Sequence, residues 1–82
     1  MAKKVDINEL TSIFRRIFEE PNLILNNSMN ASDVEKWDSL NYMRLLSAIE
    51  KEYDFKFKLQ DLIEMKNIEN IISKINTRLD NI

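Results

Sequence analysis

Ser39 stands in the tetrapeptide Trp37-Asp38-Ser39-Leu40, where a strongly amphipathic helical pattern begins. A serine hydroxyl in that position can cap the helix, or it can be the oxygen onto which another enzyme attaches a group. Few other residues offer chemistry. The chain has no histidine and no cysteine, which removes the usual catalytic triads, thiol nucleophiles and standard zinc sites. It has no glycine. The Walker loop, the dinucleotide fingerprint and the hydrolase elbow are therefore excluded, because each needs backbone at positive φ or pressed against phosphate. An EF-hand loop needs a central glycine as well. No pair of carboxylates has a geometry that argues for acid–base catalysis. The chain is expected not to be an enzyme and to hold no metal, and instead to present something to other proteins.

The elements that position Ser39 are legible from periodicity. Asp6 can accept from backbone N–H groups at a helix start, and Glu9 sits where a capping-box acid belongs. Ile7, Leu10, Ile13, Phe14 and Ile17 then form one apolar stripe, with Phe18 beside them. The pattern ends at Glu19-Glu20-Pro21, since proline disfavours a helical residue before it. A long connection follows to Trp37, rich in Asn, Ser and Asp, which favour turns over helix. Leu23, Ile24 and Leu25 are expected to pin it to the core, and Trp37 to anchor its end. The second helix starts at Asp38 or Ser39 and runs to about Tyr53, with Tyr42, Leu45, Leu46, Ile49 and Tyr53 facing inward. At ~100° per residue, Leu40 lies roughly 160° from the centre of that stripe and Met43 roughly 100°. Phe55 and Phe57 alternate with lysines in an extended linker, a short third helix spans Leu59 to Met65, and Asn67 can cap a last helix carrying Ile68, Ile71, Ile72, Ile75 and Leu79. These elements make a small bundle.

Eighty-two residues make one domain, 1–82, with a modest core. The formal net charge is −2, and Lys3-Lys4 and Arg15-Arg16 are too short to track phosphates, so nucleic acid is not an expected partner. No apolar run approaches a membrane span, which argues against membrane insertion. No apolar stretch follows the first lysines, which makes the cytoplasm the expected compartment.

Asp38-Ser39-Leu40 taken alone is a weak motif. Together with the long first connection, the helix start immediately after it, the Ile49-Glu50-Lys51-Glu52-Tyr53 end of that helix and the later helical pattern, it resembles the acyl carrier protein family over roughly Ile7 to Ile75. The resemblance implies an all-α, small four-helix bundle of acyl-carrier type, with three longer helices, a short third one and a long loop between the first two. It implies that Ser39 carries 4′-phosphopantetheine, taken from coenzyme A by a phosphopantetheinyl transferase, and that Asp38 assists recognition by that enzyme. A helix N-terminus, with its unpaired N–H groups, favours the anionic phosphodiester, whereas the charge of Asp38 opposes it. The further partners implied are an acyl- or aminoacyl-loading ligase and a downstream synthase or acyltransferase, visited by a monomer. Leu40, Met43, Arg44 and Glu50 are the residues expected to meet them. Leu45, Leu46, Phe55, Ile63 or Ile72 are expected to shelter the acyl chain.

The chain departs from carriers of bacterial fatty-acid synthesis, which are strongly acidic along the exposed side of the second helix. Here Asn41 and Arg44 take such positions, and Lys51 sits between Glu50 and Glu52. A basic partner patch loses attraction and gains a like-charge contact. The Trp-Asp-Ser-Leu form also resembles stand-alone carriers of specialised pathways that make polyketides, nonribosomal peptides or surface polysaccharides. The competing expectation is a small helical interaction module with no prosthetic group. It accounts equally well for the stripes and for the outward Leu40 and Met43, but not for a long loop that ends at Asp-Ser-Leu.

Overall fold

The computed structural model describes residues 4–80 of the chain, so Lys3 of the Lys3-Lys4 pair lies outside the described residues. Four α-helices follow one another: α1 (Ile7–Phe18), α2 (Ser39–Tyr53), the short α3 (Leu59–Glu64) and α4 (Ile68–Asp80). One 3-10 turn, Ala31–Asp33, interrupts the long connection between α1 and α2. No strand occurs among the described residues, and the alternating Phe55–Phe57 stretch is an extended linker. No helix among them is long and apolar enough to cross a membrane.

α1 forms because its apolar residues recur at helical spacing and its first turn is capped. The Asp6 carboxylate accepts from the Glu9 N–H at 2.9 Å. The Glu9 side chain accepts from the Tyr53 hydroxyl at 2.9 Å and ties the start of α1 to the end of α2. α1 ends at Glu19, which turns into the left-handed region (φ 55°) and sends its N–H to the Arg15 carbonyl. The stop is therefore a left-handed cap two residues ahead of Pro21. α2 ends the same way at Asp54 (φ 56°), with its N–H on the Glu50 carbonyl. Glycine is the usual residue for such a cap, and this chain has none.

Leu10, Phe14 and Phe18 from α1, Leu45 and Ile49 from α2, and Ile68, Ile71 and Ile75 from α4 are fully buried and form the centre of the core. The described N-terminal segment is held to α4 by one side-chain amide. Asn76 accepts from the Val5 N–H at 2.7 Å and donates to the Val5 carbonyl at 3.1 Å.

The long connection is stapled down along its length. The Arg15 guanidinium donates to the Leu23 carbonyl at 2.7 Å. Leu25, Val34 and Trp37 are buried, while Ile24 is exposed, a correction to the expectation that it pins the loop. Midway, the Met29 and Asn27 carbonyls accept from the Ile68 and Glu69 N–H groups, each at 3.0 Å. A helix start leaves such donors unpaired, so the loop and the head of α4 complete each other. Asn67 adds the expected side-chain cap, accepting from the Asn70 N–H at 2.8 Å.

α3 has nearly the expected extent, but what it buries was not expected. Its fully buried residue is Asp61, while Leu59 and Ile63 are 74% and 60% exposed. The Asp61 carboxylate accepts from both Arg78 nitrogens, Nε at 2.8 Å and Nη2 at 2.9 Å, and from the Lys58 N–H at 2.8 Å. Lys74 lies 3.9 Å away and also pairs with Glu64. The Arg78 hydrogen bonds, aided by the Lys58 N–H and the two cations, hold the Asp61 carboxyl below its ordinary pKa against the opposing effect of burial. The pair turns this face of α3 toward α4 and leaves Ile63 pointing away. Ile63 is therefore not a residue that shelters a chain in the interior.

Candidate functional site at the head of the second helix

Ser39 is the first residue of α2, and the residues just before it are held in place. The Trp37 N–H donates to the Val34 carbonyl at 3.0 Å and the Asp38 N–H to the Lys36 carbonyl at 2.9 Å. The Trp37 indole packs edge-on against Phe14, with centroids 5.3 Å apart, and lies 5.9 Å from the Tyr42 ring. Asp38 is the cap residue. Its carboxylate accepts from the Asn41 N–H at 2.9 Å and its carbonyl from the Tyr42 N–H at 2.8 Å. The Asn41 amide reaches back to the Lys36 carbonyl at 2.9 Å.

Capping is thus the work of Asp38, and the Ser39 hydroxyl is left exposed, with no hydrogen bond among the described residues. The Ser39 and Leu40 N–H groups belong to the first turn and have no intrahelical partner. A phosphate ester on Ser39 meets these donors and the positive end of α2, so the residues present fit a phosphodiester. The opposing Asp38 charge is partly taken up by its hydrogen bond to Asn41.

The sequence-derived contact residues fall on and beside this site. Leu40 is 70% and Met43 58% exposed. Arg44 is exposed and reaches the Asn41 side-chain oxygen at 3.4 Å. Glu50 is set apart. Its carboxylate accepts from the Phe57 N–H at 2.7 Å and lies 3.9 Å from Lys56, which organises the α2–α3 linker. Leu45 and Leu46 are buried, and Phe55 and Ile72 half-buried, all in or against the core.

Sequence reasoning missed three features. Leu59 and Ile63, one turn apart on α3, add exposed apolar surface. The Asp61–Arg78 pair joins residues 17 apart in sequence, and no local pattern announces it. Beside Ser39 lies a groove of about 240 Å³ lined by Ala31, Trp37, Asp38, Ser39, Tyr42, Met65 and Lys66. A larger, open hollow of about 640 Å³ sits at the other end of α2, around Ser47, Lys51 and Phe55. Ser47 is about 12 Å along the helix from Ser39, so that hollow is not part of this site.

Among the described residues, the fold is an all-helical bundle with an unbonded, exposed serine at the head of its second helix, an arrangement that suits a carrier domain. The sequence model of the phosphopantetheine attachment site family matches residues 8–75, and the chain belongs to that family. Its fold matches the solution NMR structure of a holo acyl carrier protein from Geobacter metallireducens with a TM-score of 0.86 and 32% identity, over 92% of this chain and 86% of that one. No curated protein sequence matches. The chain is accordingly an acyl carrier protein in class, a carrier rather than an enzyme, and its prosthetic group is 4′-phosphopantetheine.

Proposed function

We propose that Ser39 is the attachment point of the phosphopantetheine arm, that Asp38 is read by the transferase, and that the arm carries an acyl or aminoacyl thioester for a specialised pathway rather than for general fatty-acid synthesis. The observation that carries the attachment is the Ser39 hydroxyl, exposed and unbonded at the start of a helix that Asp38 caps instead. Its oxygen attacks the phosphorus on the pantetheine side of coenzyme A, the nucleotide half leaves, and the transferase takes the serine proton.

The pathway reading rests on the outward surface of α2. Leu40 and Met43 offer apolar contact beside Ser39, and Arg44 puts a positive charge where a basic partner would be repelled. Glu50 contributes at the far end as a secondary contact, since one of its oxygens is held by Phe57. Partners in this reading are a phosphopantetheinyl transferase, an adenylating ligase that loads the thiol, and a synthase or acyltransferase that unloads it. The monomer works as one carrier domain in the cytoplasm.

Holo protein offered in parallel to a malonyl transferase of fatty-acid synthesis and to the adenylating ligases of the same cell tests the pathway. The expected result is thioester formation with a ligase, little transfer from the fatty-acid enzyme, and partial recovery of that transfer in Arg44→Glu. Efficient malonylation of the unaltered protein, with no ligase active, contradicts the pathway reading.

A further inference from the structure

α3 buries little apolar surface. Leu62 is half-buried against the core, whereas Leu59 and Ile63 are exposed. What ties α3 to α4 is charge. Asp61, the one charged residue buried among the described residues, accepts from both Arg78 nitrogens and from the Lys58 N–H. Nearby on the same helix, Glu64 pairs with Lys74 of α4. Parting a buried pair leaves each charge without its partner in a place that water reaches poorly. Lifting α3 from α4 is therefore costly.

That cost bears on an acyl chain carried at Ser39. To shelter in the bundle, the chain has to pass between the head of α2 and the end of α3. Met65, the residue after α3, lines the groove beside Ser39 and is buried. Farther in, Leu45 and Leu46 are buried, and Ile72 packs against the same core. Phe14 fills the centre together with Phe18 and Trp37, its ring centroid 5.0 Å and 5.3 Å from theirs. A close-packed interior takes up extra methylenes only when an element moves, and the element at this entrance is the one that Asp61 holds. The open hollow of about 640 Å³ at the other end of α2 is no substitute. Glu50, Lys51, Asp54 and Lys56 line it, and an alkyl chain laid there would strip water from charged groups.

We propose that the Asp61–Arg78 pair keeps the bundle closed to the cargo, so that the thioester stays in solvent and the carrier suits short or polar acyl and aminoacyl groups rather than long alkyl chains. Asp61 and Arg78 are positioning residues in this role. They act through the placement of α3 and touch neither arm nor cargo. A long alkyl chain left in water is penalised for every methylene it exposes, whereas a hydroxyacyl or aminoacyl group is readily hydrated. The proposal narrows the substrate class of the carrier reading and rests on attachment at Ser39.

The test loads the protein with acetyl-, hydroxybutyryl- or octanoyl-pantetheine, using a broad-specificity phosphopantetheinyl transferase and the corresponding coenzyme A esters. Intact mass establishes complete loading. Methyl chemical shifts of Leu45, Leu46 and Ile72 report entry of the chain. The rate of thioester cleavage by hydroxylamine, relative to the same coenzyme A ester, reports its exposure. Shift changes confined to the surroundings of Ser39, and equal relative cleavage rates for all three groups, are expected. Octanoyl-specific shifts at Leu45, Leu46 and Ile72, with cleavage slowed several-fold, overturn the proposal. Asp61→Asn, shown to be folded by circular dichroism, should admit the octanoyl chain, so that these methyls shift and cleavage slows several-fold, while its acetyl form matches the unaltered protein. A folded Asp61→Asn that still leaves the octanoyl thioester exposed overturns the role of the ion pair. Arg78→Lys, which keeps the charge and loses the two-point contact, makes the same comparison if Asp61→Asn does not fold. Failure of the folded protein to take up any of the three groups, visible by mass alone, overturns attachment at Ser39 instead.

Discussion

Asp61 shows how one residue fixes an element that its neighbours do not. It is buried, ionised and bonded to Arg78 through both oxygens. Removing one partner of such a pair strands the other, so Asp61→Asn should lose about 2–3 kcal/mol at neutral pH, measured by urea unfolding. The pH dependence has a definite sign. The folded pKa of Asp61 is lowered, so its contribution is fully present above the unfolded value of about 3.9 and disappears as pH falls through the folded value. The unaltered protein should therefore lose stability more steeply in acid than Asp61→Asn, and parallel curves would contradict this. Glu19 makes a smaller case. A non-glycine residue in the left-handed region costs about 1–2 kcal/mol, and glycine's extra chain entropy takes back about 0.5–1 kcal/mol. Glu19→Gly should therefore stabilise the fold by up to about 1.5 kcal/mol, read from the denaturation midpoint.

At the scale of elements, α1, α2 and α4 were legible because each carries one apolar stripe at helical spacing and a recognisable start: Asp6, Asp38 and Asn67 all cap as their types suggest. The head of α2 was legible for the same reason, and Leu40 and Met43 lie outward as their angles on the helix require. α3 was not. Its inward face is made by Asp61, and the partner that makes an acid tolerable there lies on α4, 17 residues later. Ile63, expected among the residues that shelter an acyl chain, is exposed instead. The stapling of the long loop to α4 was equally hidden, because it uses the Met29 and Asn27 carbonyls, which carry no side-chain signature. The exposed face of α2 makes its own prediction. Leu40→Ala and Met43→Ala should change stability by no more than about 0.5 kcal/mol, as surface substitutions do. They should lower kcat/KM with the loading enzyme several-fold. Loss of stability without loss of transfer would assign these side chains to packing instead.

The whole molecule is a small bundle whose long loop, aromatic anchor and caps converge on one unencumbered hydroxyl. Trp37 holds the loop against Phe14, Asp38 caps α2, and Ser39 is left exposed, as the proposed attachment requires. No histidine, cysteine or glycine is needed for that role, because the activating chemistry belongs to the transferase and the reactive thiol to the arm. In the proposed function, the modest net charge of −2 and Arg44 and Lys51 on α2 bear on the choice of partners, separately from the site itself. The most direct measurement is the intact mass of the apo protein before and after incubation with coenzyme A, magnesium and a broad-specificity phosphopantetheinyl transferase, alongside Ser39→Ala. A single phosphopantetheinyl addition, absent from Ser39→Ala and mapped to the peptide containing Ser39, is the predicted result. A folded apo protein that takes up no group, or a Ser39→Ala variant that is still modified, would contradict it.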